Sequence, residues 1–149
     1  MNVHQANSVE LSSWDASALL RDEIVGRLSV IDHGTPLALP VSYRLVERDG
    51  MQQIVVRTMS TSVLARYEGQ ASFEVDRIDV PSGAAWSVIA RGRLRHAWDD
   101  AMLPDPEPWV AGNRPLWLIL EVDVLSARRF SAAPGSDGFE VDWMPAPET

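Results

Sequence analysis

Residues that are missing or scarce limit the chemistry open to this 149-residue chain. It contains no cysteine, which excludes disulfides, thiolate nucleophiles and thiolate metal ligands. Its three histidines, His4, His33 and His96, lie far apart in the sequence, so we expect no metal site. Neither His33 nor His96 has an acid or a hydroxyl at the spacing of a hydrolytic triad. The sequence therefore identifies no catalytic residue.

Lysine and long apolar runs are also missing. The 13 basic residues are all arginine, and against 21 acids they leave a net charge of -8. Because nucleic-acid phosphates are held by lysine and arginine, this charge argues against a general nucleic-acid binder. No apolar run is long enough to span a bilayer, and residues 1–8 lack the charged and apolar regions of a signal peptide. We therefore expect a cytoplasmic protein without a membrane partner.

The size and composition of the chain suit one domain with one core, since 46% of its residues are apolar. A capping box predicts a helix that begins after Ser12, with Asp15 three residues beyond this N-cap. We expect a flexible N-terminus over residues 1–8, a folded domain over residues 9–131 and a C-terminal tail over residues 132–149.

Alternation of apolar and polar residues predicts six strands after this helix. They cover residues 25–31, 37–45, 53–58, 71–79, 86–98 and 116–130. Turn sequences at residues 32–36 and 47–50 join the first three strands as hairpins. Pro40 cannot donate to a ladder, so its part of the second strand belongs at an edge, a bulge or a break. The predicted fold class is mainly β, as an antiparallel barrel or sandwich.

Three arginines would share one face of the strand over residues 86–98. These are Arg91, Arg93 and Arg95. They could form a ligand cradle, but opposed charges on neighbouring strands are ordinary support for a sheet. We therefore expect them to pair with acids such as Glu74 and Asp76.

The segment over residues 54–65 combines groups that bind anions. An apolar strand ends in an arginine, which is followed by several hydroxyl residues and the start of a short helix. A guanidinium, rotatable hydroxyls and free helix N–H groups together suit a phosphate. The candidates for this anion site are Arg57, Thr58, Ser60, Thr61 and Ser62. Two simpler roles stay open, with Arg57 paired to a surface carboxylate and Ser60 or Thr61 acting as the helix N-cap.

A set of short motifs, in a fixed order over residues 9–131, gives the chain a resemblance to a known family. The motifs are Leu11-Ser12, Val25-Gly26-Arg27-Leu28, Gly34-Thr35-Pro36, Pro40-Val41-Ser42-Tyr43, Arg57-Thr58 and the segments 71–76, 86–92 and 126–130. With them the chain resembles the pyridoxamine 5'-phosphate oxidase-like proteins of the FMN-binding split β-barrel superfamily. Their nitroimidazole-reductase-like branch is the most similar part of that group.

The resemblance implies a fold, a cofactor and a partner. The expected fold is a six-stranded antiparallel split β-barrel with an N-terminal helix and short connecting helices. The expected assembly is a homodimer that holds FMN between its subunits and acts as an oxidoreductase on an unknown small molecule. The implied cofactor-binding residues are Arg57, Thr58, Ser60, Thr61 and Ser62 at the phosphate, Val41, Ser42 and Tyr43 at the ring, and Trp109 and Arg114 from the partner subunit. Tyr43 could equally be a strand aromatic whose hydroxyl is satisfied inside the fold.

One position departs from the family pattern. The family commonly has a lysine directly after the Ser/Thr of the phosphate turn, and this chain has Val63 there. A lost charge-assisted contact to phosphate costs about 1.5–3 kcal/mol, or about tenfold to a hundredfold in affinity. Arg91, Arg93 or Arg114 could compensate. Two alternatives to FMN therefore stay open, a deazaflavin-dependent reductase and a ligand-binding or cofactor-free barrel without redox activity.

Overall fold

The computed structural model describes residues 7–97, 102–108 and 110–131. One α-helix and seven strands are formed within these ranges. They are β1 Asn7–Glu10, α1 Ser13–Asp22, β2 Val25–Asp32, β3 Thr35–Arg48, β4 Met51–Thr58, β5 Gly69–Asp79, β6 Ala84–His96 and β7 Leu116–Ser131, with a short 3₁₀ turn at Val63–Arg66. None of the helices in the described part of the chain is long and apolar enough to cross a membrane. The cytoplasmic location stays a prediction.

The strands form an antiparallel barrel. Their order is β1-β7-β4-β3-β2-β5-β6, and an additional pairing of β6 with β7 closes six of them into a ring. The predicted mainly β, six-stranded barrel is therefore confirmed. Strand β1 lies outside the ring and pairs with the end of β7, from Asn7 opposite Ser131 to Glu10 opposite Arg128. It includes residues 7 and 8, for which a flexible segment was expected.

Local sequence signals form the helix and the first two hairpins as predicted. Ser12 Oγ accepts the Asp15 N–H at 3.1 Å, which satisfies one of the free donors of the first helical turn. The two hairpin turns have left-handed residue pairs, with φ of 48° and 78° at His33 and Gly34 and of 53° and 76° at Asp49 and Gly50. These angles fit the two-residue turns that match the twist of paired strands, and they fix the register.

The core fills the inside of the barrel. Its largest fully buried side chains include Leu20, Leu28, Tyr43, Ile54, Leu64, Phe73, Leu94, Leu118 and Leu120. Helix α1 covers one end of this core with Ala16 and Leu20, which are 1% and 0% exposed. A Cβ on Gly26 would lie 2.2 Å from the ring of Phe73, so only glycine leaves room for that ring.

Strand β3 changes partners along its length, and this change opens the barrel. Residues from Thr35 to Ser42 pair with β2, while residues from Tyr43 to Arg48 pair with β4. The Tyr43 N–H donates to Ile24 O of the chain just before β2. Along a strand, the backbone N–H and C=O groups of alternate residues point to opposite edges. The Pro40 carbonyl and both backbone groups of Ser42 therefore point away from β2, into the opening. Pro40 therefore lies on a free edge, one of the three places predicted for it, where its missing N–H costs no ladder bond.

The predicted pairing of the β6 arginines with Glu74 and Asp76 is wrong. Glu74 and Asp76 pair instead with Arg27 of β2, at 3.4 and 3.1 Å. The register explains this, because Arg27 lies directly opposite Glu74 in the pairing of β2 with β5. On the other side of β5, Glu74 faces Ile89. Arg95 pairs with Glu121 of β7 at 2.7 Å.

Candidate functional site

A cavity of about 360 Å³ occupies the opening beside β3. One wall is apolar and includes Val25, Leu39, Pro40, Val41 and Leu64. The other end is polar and carries Ser42, Arg57, Thr58, Ser62 and Arg114. Strand β3 supplies the residues from Leu39 to Ser42 and the end of β4 supplies Arg57 and Thr58, because the two strands separate at this point, while neighbouring segments supply the rest. The cavity thus joins an apolar slot to a cationic, hydroxyl-bearing end.

Six of the ten predicted cofactor-binding residues meet at this cavity, although Arg114 was expected from the partner subunit and here lines the cavity of its own chain. They are Val41, Ser42, Arg57, Thr58, Ser62 and Arg114. Trp109 lies outside the described residues. Ser60 and Thr61 are exposed and do not line the cavity of this chain. The ligand roles of the six residues stay predictions.

Arg57 is held by three contacts within the chain. Its Nη1 contacts the Asp105 carboxylate at 3.0 Å, and its Nε and Nη2 donate to Arg114 O at 3.0 and 2.8 Å. The guanidinium also lies 4.8 Å from the centre of the Trp117 ring, a cation–π contact. The simpler role for Arg57, pairing with a carboxylate, is therefore present in the structure. Arginine has five N–H donors, so these contacts leave part of its fork available.

Asp105 was not predicted as a site residue, although it reaches the anion site. Its Oδ1 accepts the Glu107 N–H at 3.0 Å while its Oδ2 contacts Arg57. The Glu107 N–H first, and Arg57 to a smaller extent, hold the pKa of Asp105 below its ordinary value. The only sequence signal was local, a run in which prolines alternate with Asp105 and Glu107.

Ser62, and not Ser60 or Thr61, caps the 3₁₀ turn after β4. Its Oγ accepts the Leu64 N–H at 3.2 Å. The predicted N-cap residues Ser60 and Thr61 are thus wrong, and the next serine of the same turn has that role. Ser62 also lines the cavity, so one hydroxyl holds the turn and faces the polar end.

Tyr43 does not line the cavity, and its predicted ring contact is wrong for this chain. Its side chain is 0% exposed, and its hydroxyl donates to Leu20 O at the end of α1. The ring packs edge-on against Phe73 with centroids 4.7 Å apart. Burial raises the pKa of Tyr43 well above its ordinary value. The alternative of an aromatic satisfied inside the fold is confirmed.

Val63 follows Ser62 in the sequence but does not line the cavity beside β3. It packs against the core and borders a smaller recess with Asp32, His33, Arg66 and Tyr67. Among the described residues, no group of three or more histidines and acids could hold a metal ion. The described lining of the cavity beside β3 also contains no histidine and no carboxylate. The described protein groups at this cavity can bind and orient a ligand.

Comparisons with known proteins give a family and a fold. A family profile described as pyridoxamine 5'-phosphate oxidase matches residues 12–107. No curated protein sequence gives a match.

Three solved structures show the same fold. The FAD binding protein from Mycobacterium smegmatis is 24% identical, with a TM-score of 0.65 over 83% of this chain and 99% of that chain. A FAD-binding protein from Mesorhizobium loti is 19% identical, with a TM-score of 0.69 over 85% and 98%. A protein from Bacteroides thetaiotaomicron, described as a candidate 5-nitroimidazole antibiotic resistance protein, is 10% identical, with a TM-score of 0.61 over 85% and 90%.

Proposed function

This chain belongs to the pyridoxamine 5'-phosphate oxidase family, and we propose that it binds a flavin nucleotide in the cavity beside β3. The proposal includes use of that flavin as a redox cofactor with a small-molecule substrate. The observation that carries it is the junction of an apolar slot with a cationic end at one cavity. A flavin nucleotide has the same two parts, a planar ring system and a phosphate.

The residues of the cavity fit such a ligand. Its volume of about 360 Å³ lies within the range of about 300–1,000 Å³ that is usual for small-molecule sites. The free edge of β3 adds backbone groups, since the Ser42 N–H and the Pro40 carbonyl point into the opening. These groups can pair with the polar edge of a flavin ring while Leu39 and Val41 contact its face. The hydroxyls of Thr58 and Ser62, with Arg114, lie where the phosphate would be held.

The division of chemistry follows from this lining. A bound flavin accepts and donates the electrons, and the protein supplies its position and electrostatic surroundings. Val25, Leu39 and Leu64 keep water from one face of the slot. The arginines and hydroxyls at the polar end fix the phosphate and thereby the orientation of the ring.

A second copy of the chain is part of the proposal. Two apolar side chains at the cavity, Met59 and Val110, are 43% and 69% exposed. Exposed apolar side chains beside a ligand cavity suit a surface that a second protein molecule covers. We therefore propose the homodimer, with the flavin at the subunit interface.

FMN is the nucleotide that we propose, on the family resemblance. FAD is the alternative, because the similar proteins from M. smegmatis and M. loti are described as FAD-binding. The deazaflavin alternative differs from this proposal only in the ligand bound. Parallel titrations with FMN, FAD and a deazaflavin distinguish the three cofactors.

A ligand-binding barrel without redox activity is the second candidate. Two observations favour it, the valine at position 63 and the contacts of Arg57 with Asp105 and Arg114 O. The valine removes an ammonium that could contact a phosphate, and the contacts of Arg57 occupy part of its guanidinium. Such a protein would keep the fold and the apolar slot but would bind FMN no more tightly than riboflavin.

A pair of variants at Ser62 tests the flavin proposal. Ser62→Asp keeps a good N-cap for the Leu64 N–H but places a negative charge at the polar end, and Ser62→Asn is the neutral control. Two like charges about 4 Å apart repel by about 4 kcal/mol at an effective dielectric constant of about 20. Ser62→Asp should therefore lose at least about tenfold in FMN affinity, with riboflavin affinity unchanged.

Affinities would be measured by quenching of flavin fluorescence on wild type and both variants. Equal FMN affinity in all three proteins would place the phosphate elsewhere and end this assignment of the site. Loss in Ser62→Asn equal to the loss in Ser62→Asp would show that the turn, and not the charge, had been disturbed.

A further inference from the structure

Two acids of one short segment contact two arginines of neighbouring strands. The segment is Pro104-Asp105-Pro106-Glu107-Pro108 and is called the acidic segment below. Asp105 contacts Arg57 of β4 at 3.0 Å, and Glu107 contacts Arg44 of β3 at 3.7 Å. Of these two arginines, only Arg57 lines the cavity beside β3. The acidic segment therefore brings a carboxylate to the cation that the sequence assigns to a phosphate.

The Asp105 carboxylate is fixed at both of its oxygens. One oxygen accepts the Glu107 N–H and the other contacts Arg57, each at 3.0 Å. A charge-assisted contact of an arginine N–H to a carboxylate has the same geometry as its contact to a phosphate oxygen. The carboxylate therefore uses a donor of Arg57 that could also contact a phosphate oxygen.

The acidic segment is stiff, which favours this substitution. Pro106 is buried and ties the segment to the fold. Each proline fixes its own φ and restricts the residue before it. Glu107, with φ of 51°, has a conformation that is uncommon for residues other than glycine. Little conformational entropy is then lost when Asp105 contacts Arg57, because the segment is already ordered.

We infer that Asp105 occupies the phosphate position at Arg57 and determines how strongly the site prefers phosphorylated over unphosphorylated ligands. A phosphate must displace the carboxylate or share the guanidinium with it. The identity of the ligand as a flavin rests on the proposed function, whereas the competition for Arg57 does not. The wild-type protein should consequently discriminate less strongly between FMN and riboflavin than a protein without this carboxylate.

The variant Asp105→Asn removes the charge and preserves the turn. Its side-chain oxygen can still accept the Glu107 N–H, and its amide group, which is a donor, then faces the donors of Arg57. Arg57 is released for an external anion. Glu107→Gln is the matched control, because it removes an equal charge two residues away, at an acid that contacts Arg44 and not Arg57.

The first probe is inorganic pyrophosphate, which needs no flavin. Its dissociation constant would be measured from the thermal stabilisation of wild type, Asp105→Asn and Glu107→Gln over a range of concentrations. Asp105→Asn should bind about tenfold to a hundredfold more tightly than wild type, which is the size of one charge-assisted contact. Adding Arg57→Gln to Asp105→Asn should abolish the gain.

The second probe is the ratio of FMN to riboflavin affinity, which should rise by the same factor in Asp105→Asn. Equal pyrophosphate affinity in Asp105→Asn and wild type would overturn the inference, as would an equal gain in Glu107→Gln. If pyrophosphate affinity rises in Asp105→Asn as expected while neither wild type nor any variant binds a flavin, the inference stands and the flavin proposal fails. If FMN binds and its ratio to riboflavin does not change in Asp105→Asn, the inference fails and the flavin proposal stands.

Discussion

The variant Tyr43→Phe tests whether Tyr43 belongs to the core or to the cofactor site. The hydroxyl of Tyr43 donates to Leu20 O, a carbonyl in the last turn of α1. The last four carbonyls of a helix have no partner within the helix, so this hydroxyl satisfies one that would otherwise be orphaned. Phenylalanine keeps the ring and its edge-on contact with Phe73 and removes only the donor.

The expected loss follows from the burial of this pair. Tyr43 and Leu20 are both 0% exposed, so water cannot replace the missing donor. A buried polar group without a partner costs about 1–3 kcal/mol of unfolding free energy. At about 2–4 °C for each kcal/mol in a chain of this size, the melting temperature should fall by about 2–12 °C. Flavin affinity should not change, because Tyr43 lies outside the cavity.

Thermal and urea unfolding would measure this loss. Tyr67→Phe is the control, since the Tyr67 hydroxyl also donates to a carbonyl, that of Gln70, but in an exposed setting where water can take its place. Tyr67→Phe should therefore cost less than Tyr43→Phe. A Tyr43→Phe protein as stable as wild type, or one that loses flavin affinity at full stability, would refute the placement of Tyr43 in the core.

Three further predictions test the site and the fold. Val63→Lys should raise FMN affinity about tenfold to a hundredfold in a fluorescence titration, with riboflavin unchanged, and no gain would contradict the role given to the missing ammonium. Gly92→Ala should cost about 3 kcal/mol or more in urea unfolding, since its Cβ would lie 1.7 Å from the Glu121 carbonyl oxygen beside a β-bulge, and unchanged stability would contradict that register. Burial raises the pKa of Tyr43 in the folded state, so the unfolded chain loses that proton first above pH of about 10, and stability should fall there with rising pH. Tyr43→Phe should lack that part of the decline, and parallel curves for the two proteins would contradict the shift.

Local signals made most of the fold predictable. The capping box at Ser12 and the turn residues Asp49 and Gly50 act over a few residues, and the structure has them as expected. Strand β1 has no such signal, because its four residues are held by pairing with the far end of β7. The partner of Glu74 could not be predicted either, since alternation gives the face of a residue but not which neighbouring strand lies opposite it.

The candidate site was predictable only in part, for the same reason. Arg57, Thr58 and Ser62 lie close together in the sequence, so their hydroxyl-rich turn marked them. Asp105 lies 48 positions from Arg57 in the sequence, and the two side chains meet only because the fold brings their segments together. For Tyr43 the sequence left open a ring contact and a position inside the fold, because alternation cannot distinguish packed core from cavity wall.

Flavin binding is tested most directly by the visible absorption spectrum of the purified protein, followed by denaturation and identification of whatever is released. The proposal predicts flavin absorption in the native protein, or saturable quenching of added FMN or FAD in a cavity that Ser62→Asp impairs. A colourless protein that quenches neither nucleotide up to high micromolar concentration would contradict it.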